Sequence, residues 1–226
     1  MKQVQVWDLP TRLFHWLLVA AIAGAYVTGE NGGDGLIWHG RLGLFIAGLI
    51  VFRLIWGFTG STYARFSTFV RGPQAIKAYL AGQWHGLGHN PLGALSVLAL
   101  LGLVTLQLTT GLFATNDDTG YAGPFYASIS TTLGNLTTKL HHKAFDVLGI
   151  LIGLHVAAIV YYGHVKKEKL LKTMITGTKE VSEGESARGG GLIAFVIALT
   201  IAFSLVYAAS GEWQEKAAAG AQTAPL

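Results

Sequence analysis

The sequence predicts an all-α integral membrane protein: a four-helix transmembrane bundle followed by a fifth, C-terminal transmembrane helix. Three observations carry that expectation. Hydrophobic residues make up 51% of the chain against 12% charged, with a mean hydropathy of +0.46, a balance outside the range of soluble domains. Five apolar stretches, at 13–29, 37–58, 92–114, 141–163 and 191–209, approach the ~20 residues that a helix needs to cross ~30 Å of hydrocarbon. The basic residues collect in alternate connecting segments.

Taken in order, the first stretch follows Lys2 and Arg12 and has the outline of a signal peptide. Its long polar lead (3–11), the lack of a small-x-small site in register and a histidine inside the apolar run predict that it is retained. After the second stretch, residues 61–91 are too polar to span. Phe66, Phe69, Val70, Ile76, Tyr79 and Leu80 among basic residues predict an amphipathic segment on the membrane surface. The connection 115–140, with Gly120, Gly123 and Pro124, is expected to be irregular or to hold a short interfacial helix, and it is a candidate docking surface. The Gly-, Ser- and Glu-rich segment 181–191 reads as a linker. This divides the chain into a four-helix domain, 1–180, and a linker, fifth helix and tail, 181–226.

Lys2, Arg12, Arg65, Arg71, Lys77, Lys166, Lys167, Lys169, Lys172, Lys179 and Arg188 fall on one side of this topology. Lys139 and Lys216 face Glu30, Asp34, Asp117, Asp118, Glu212 and Glu215 on the other. The bias predicts a multi-pass protein of the bacterial inner membrane, N-terminus cytoplasmic and C-terminus periplasmic. The net charge of +4 is spread along the loops and forms no nucleic-acid patch. The absence of cysteine excludes disulfides, iron–sulfur clusters, thiolate ligation and covalent haem attachment.

The histidines carry the chemistry, because ionisable groups inside a membrane are costly and imidazole suits haem iron. His141 and His155 are fourteen residues apart, which puts them within about 40° of one helix face and about 21 Å apart along the axis. His142 points roughly 140° from His155 on the same geometry, so His141 is the preferred ligand. Matching depths pairs His15 with His155 near the inner surface and His39 with His141 near the outer one. The bundle is therefore expected to bind two haems b, each held by two histidines. Haem propionates need cationic partners; Arg12 and Arg41 each lie one turn from a histidine, and Arg53 either serves the inner haem or snorkels to the headgroups. His85, His89 and His164 are assigned to inner loops, in solvated or interfacial roles. Gly43, Ala47, Gly48, Gly102, Gly149 and Gly153 are placed for close approach of helices or porphyrin. Trp7, Trp16, Trp38, Trp56, Trp84 and Trp213 read as an aromatic belt.

The segments Val6-Trp7-Asp8-Leu9-Pro10-Thr11-Arg12-Leu13-Phe14-His15-Trp16, Trp38-His39-Gly40-Arg41-Leu42-Gly43, Phe52-Arg53-Leu54-Ile55-Trp56-Gly57-Phe58, Leu140-His141-His142 and Gly153-Leu154-His155-Val156 resemble the bacterial cytochrome b561 and nickel–iron hydrogenase b-type cytochrome family. The resemblance covers the first four helices. It implies a di-haem core ligated from helices one, two and four. It also implies electron exchange with quinone and with an outer-side partner: a periplasmic hydrogenase, another dehydrogenase or a soluble cytochrome c. The fifth helix departs from the hydrogenase subunit pattern; it is expected to be dispensable for the haem core and to meet a partner or membrane lipid.

The leading expectation is thus a quinone-linked electron-transfer cytochrome, with the quinone near His15, Arg12 and the segment after Ser61. A second is a free-standing superoxide:ubiquinone oxidoreductase, for which Lys139, Lys143 and Arg41 would guide the anion while Asp117 and Asp118 oppose it. A third is a transition-metal transporter using the histidines without haem; the expected inverted repeats or broken helices are not found in the sequence.

Overall fold

A computed structural model describes residues 1–212; Trp213, Glu215 and Lys216 lie outside them. Five helices are long and apolar enough to cross a membrane: α1 (Leu9–Asn31), α2 (Gly35–Thr59), α5 (Pro91–Gly111), α6 (Thr131–His164) and α8 (Leu192–Ser210). Shorter helices α3 (Phe66–Phe69), α4 (Pro73–Leu80) and α7 (Leu170–Thr176) lie in the connections. The strands are β1 (Lys2–Gln5), β2 (Thr115–Asn116), β3 (Tyr121–Ala122) and β4 (Thr178–Val181). Large apolar side chains face outward along the spans, among them Ile150, Leu154 and Phe203, as a lipid-facing surface requires. The chain is an all-α integral membrane protein.

The helix starts follow from local chemistry. Asp8 caps α1 by accepting from Thr11 N at 2.7 Å, with Pro10 in the first turn; the Asp8 carboxylate also accepts from Trp56 Nε1 at 3.0 Å. One side chain therefore fixes the start of α1 against the end of α2. Asn90 and Ser130 cap α5 and α6 in the same manner, each satisfying a main-chain N–H that the helix leaves open. Because Ser130 starts α6 there, the helix has 34 residues, about 51 Å at 1.5 Å per residue. It extends beyond the apolar pattern at 141–163 and takes in residues 131–140 of the expected irregular connection, which begins with the β2–β3 hairpin.

Helices α1, α2, α5 and α6 form the bundle, and α8 packs along α2. Phe195 of α8 meets Phe52 and Trp56 edge-on at ring-centroid distances of 5.7 and 6.1 Å. At the end of the bundle that carries the N-terminus, β1 pairs antiparallel with β4, Lys2 opposite Val181 and Gln5 opposite Thr178. The 181–191 segment then crosses this end. Ala187 N donates to Gln5 O at 2.7 Å, while Thr62 N donates to Arg188 O at 2.8 Å. It is thus a tied strap rather than a free linker. The basic connecting segments meet here, and this is called the N-terminal end; the other is the far end.

Two of the expected belt tryptophans are interior instead. Trp56 is 1% exposed and Trp7 is buried against His89, whereas Trp16 and Trp38 are exposed. A Cβ at Gly43, Gly102, Gly149 or Gly153 would meet nothing within 4 Å among the described residues, so those glycines are not close helix contacts there; Gly48 is one, against Val206 of α8.

Candidate functional site

At the far end, His39 of α2 and His141 of α6 face each other with ring centroids 5.9 Å apart and planes at 81°. Each imidazole is oriented by a main-chain carbonyl of a neighbouring helix. His39 Nδ1 donates to Ala25 O of α1 at 2.8 Å, and His141 Nδ1 to Gln107 O of α5 at 2.9 Å. All four bundle helices therefore build this pair. Gln107 Nε2 lies 3.1 Å from His141 Nε2, a donor facing the unprotonated ring nitrogen. With both Nδ1 atoms protonated, both Nε2 atoms carry the lone pair that a metal requires.

The same device opens both carbonyls. Gly29 stands four residues after Ala25, and Gly111 four after Gln107. A Cβ at Gly29 would lie 2.9 Å from His39 Nδ1, and one at Gly111 2.9 Å from His141 Cε1. Side chains at these positions would push the imidazoles off the carbonyls. The pair opens on a cavity of about 440 Å³, lined among others by His142, Arg41, Tyr121 and Ser210. Arg41 stacks its guanidinium on Trp38 at 4.9 Å. Ser210, at the end of α8, brings the fifth helix to this cavity, so that helix is part of its wall.

The N-terminal end holds His15 on α1 and His155 on α6, close enough to interact electrostatically. Around them lie buried nitrogens without a protein partner among the described residues: His15 Nδ1, Arg12 Nε, Arg53 Nη1, Arg65 Nε and His89 Nδ1. Arg12 Nη1 donates to Ile175 O at 2.6 Å. Arg53 is 3% exposed, with its guanidinium 4.9 Å over the Phe66 ring, so it does not snorkel. Buried donors without acceptors are costly, and this set suits a group with anionic oxygens.

His89 lies in the connecting segment before α5, as expected, but it is not in a solvated or interfacial role. Its ring lies between Trp7 at 4.6 Å and Phe69 at 4.7 Å, and burial, with Arg53 and His155 nearby, holds its pKa down to about 3. The signal was the Asn90-Pro91 helix start, which places His89 directly beneath the bundle. Near it, Tyr79 of α4 and Tyr162 of α6 join hydroxyls, and Asn90 Nδ2 donates to Tyr162 at 3.3 Å. Burial and that bond push the Tyr79 phenol well above its ordinary range. His85 and His164 stay peripheral.

The donor sets fit haem: imidazole nitrogens presented in pairs, guanidinium groups beside them and a cavity between the helices. No group of three or more metal-ligating side chains occurs among the described residues.

Comparison with known proteins identifies the family. A profile described as Prokaryotic cytochrome b561 matches residues 6–177. The chain is 25% identical over 211 residues to the "Probable Ni/Fe-hydrogenase B-type cytochrome subunit" of Azotobacter chroococcum mcd 1, covering 77% of this chain and 87% of the relative. It is 22% identical over 218 residues to the "Probable Ni/Fe-hydrogenase 1 B-type cytochrome subunit" of Escherichia coli K12, covering 80% and 92%. It is 23% identical over 212 residues to a Rhodobacter capsulatus protein named like the first, covering 77% and 80%. No solved structure matches. The matched segment runs from Val6 through His141 and His155 of α6, and on that evidence the chain belongs to the prokaryotic cytochrome b561 family, whose members are b-type haem proteins of membrane electron transfer.

Proposed function

We propose that this cytochrome carries two haems b, one held by His39 and His141 and one by His15 and His155. It moves electrons across the bacterial inner membrane between the quinone pool and a periplasmic redox partner. The observation that carries the reading is the His39–His141 pair: both Nδ1 protons are donated to carbonyls, so both Nε2 atoms carry the lone pair for iron, that of His141 once Gln107 Nε2 gives way. Haem b would supply a one-electron iron couple, and a pair of histidine nitrogens for each haem would favour electron transfer over ligand chemistry.

The chain's own residues do the rest. The bundle excludes water from the imidazoles. Arg12, Arg53, Arg65 and His89 offer nitrogens to anionic oxygens at the N-terminal end, and Arg41 does so at the far end. The N-terminal end faces the cytoplasm, a reading that the clustered basic segments support. Quinone binds there, near His15, Arg12 and the segment after Ser61. The periplasmic partner is a hydrogenase or dehydrogenase subunit, or a cytochrome c. The relatives named as hydrogenase cytochrome subunits favour the first.

Rapid mixing of the purified chain with a soluble quinol tests the assignment. Haem reduction faster than in His15→Ala is expected, and equal rates overturn the quinone site. The superoxide reading ranks second. Lys143, one of its guiding cations, already pairs with Asp146 at 3.1 Å, and no haem reduction above the buffer control on mixing with superoxide removes it.

A further inference from the structure

The β2–β3 hairpin is held against the far end of the bundle. Thr115 N donates to Thr138 Oγ1 of α6 at 3.0 Å, and Gly123 N donates to Ala114 O at 2.8 Å. Asn116 Oδ1 accepts from Thr119 N at 3.0 Å and closes the turn. The hairpin is therefore a fixed platform, and its one large side chain facing the bundle is Tyr121. The phenol reaches across to α2, where it touches the backbone of Gly40, between His39 and Arg41. A Cβ at residue 40 would clash with the Tyr121 oxygen. Only glycine gives the phenol this seat.

Tyr121 and Gly40 both line the far-end cavity. Among the described residues, no group bonds the Tyr121 hydroxyl, although a tyrosine hydroxyl in a half-buried place normally finds a partner. Burial alone pushes this phenol up, so it stays a donor through the physiological range. Arg41 lines the same cavity. A neutral donor and a cation at one apolar mouth fit an anionic oxygen acceptor.

We propose that the Tyr121 hydroxyl, seated on Gly40 between His39 and Arg41, donates a hydrogen bond to a carboxylate of the cofactor bound in the far-end cavity. The inference rests on the reading of that cavity as a haem site. It makes Tyr121 a positioning and tuning residue, set from the hairpin rather than from the helices.

The sign of its effect follows from charge. A hydrogen bond offsets negative charge on the carboxylate and so favours the ferrous state; removing it favours the ferric state and lowers the potential. The test compares the full-length wild type, Tyr121→Phe and Gly40→Ala, by pyridine haemochrome for haem content and by spectroscopic redox titration. Gly40→Ala keeps the phenol but displaces it, which separates loss of the bond from loss of the ring. Both variants are expected to keep two haems, with a severalfold fall in the reduction equilibrium constant of the haem that His39→Ala removes. A tenfold fall is about 59 mV for one electron. Both potentials unchanged in both variants, with two haems in the wild type, overturn this inference and leave the haem reading intact. A wild type without haem overturns both.

Discussion

His39 and His141 stand 5.9 Å apart at 81°, and each has its Nδ1 hydrogen bonded to a carbonyl on a third helix. That relationship joins α1, α2, α5 and α6 in one constellation. Orientation from outside the coordinating atom is what keeps an imidazole in a single tautomer.

The two glycines behind those carbonyls give the first prediction. Gly29→Ala and Gly111→Ala place a methyl 2.9 Å from an imidazole atom, so each should tilt one histidine off its carbonyl. A weakening of far-end haem binding of about 10–100-fold is expected, as for other losses of a group that orients a metal ligand. Haem titration of the depleted protein measures it; wild-type affinity in both would contradict the account.

Asp8 gives the second. It caps α1 and accepts from Trp56, so Asp8→Ala removes a cap of about 0.5–2 kcal/mol and leaves a buried indole N–H unpaired. Trp56→Phe removes only the second bond and should cost less, about 1 kcal/mol before any packing loss. Thermal unfolding in detergent should rank the variants in that order.

The spans, the four paired histidines and the basic asymmetry were legible in the sequence because hydropathy and helical spacing are local signals. What was hidden is non-local. The β1–β4 pairing joins residues near 2 and near 180, and no pattern inside either segment announces the other. The start of α6 was missed because Thr131 to Leu140 is polar and lies outside the apolar run, although Ser130 is a good cap. Gly29 and Gly111 were readable as glycines in spans, yet their use needs the histidine on the neighbouring helix. His89 was expected to be solvated or interfacial because its enclosure comes from Trp7 and Phe69, distant in sequence.

His89 also sets a pH dependence. Its pKa is about 3 in the folded chain against 6.5 when unperturbed, so between those values the unfolded chain binds more protons. Stability is then full above about pH 6.5 and declines as pH falls towards 3. Arg53 from α2 and His155 from α6 face the ring and act in the same direction. His89→Gln should flatten this acid limb in denaturation midpoints measured from pH 7 to pH 4.5; an unchanged slope would show that His89 is not a main contributor.

Truncation after Glu180 tests the two-part organisation. It removes the strap and α8, uncovering Phe52 and Trp56 and the Ser210 side of the cavity. The shortened chain should keep two haems but unfold at a lower temperature, with the far-end haem lost first. Loss of both haems together would make α8 part of the folding unit.

The most direct test of the central claim is haem stoichiometry. A pyridine haemochrome assay with dithionite-reduced spectra should compare the detergent-purified wild type with His39→Ala and His155→Ala. Two haems b per chain, with one lost or turned high-spin in each variant, is the predicted result. A wild-type chain without haem, or variants that keep two low-spin haems, would contradict the account.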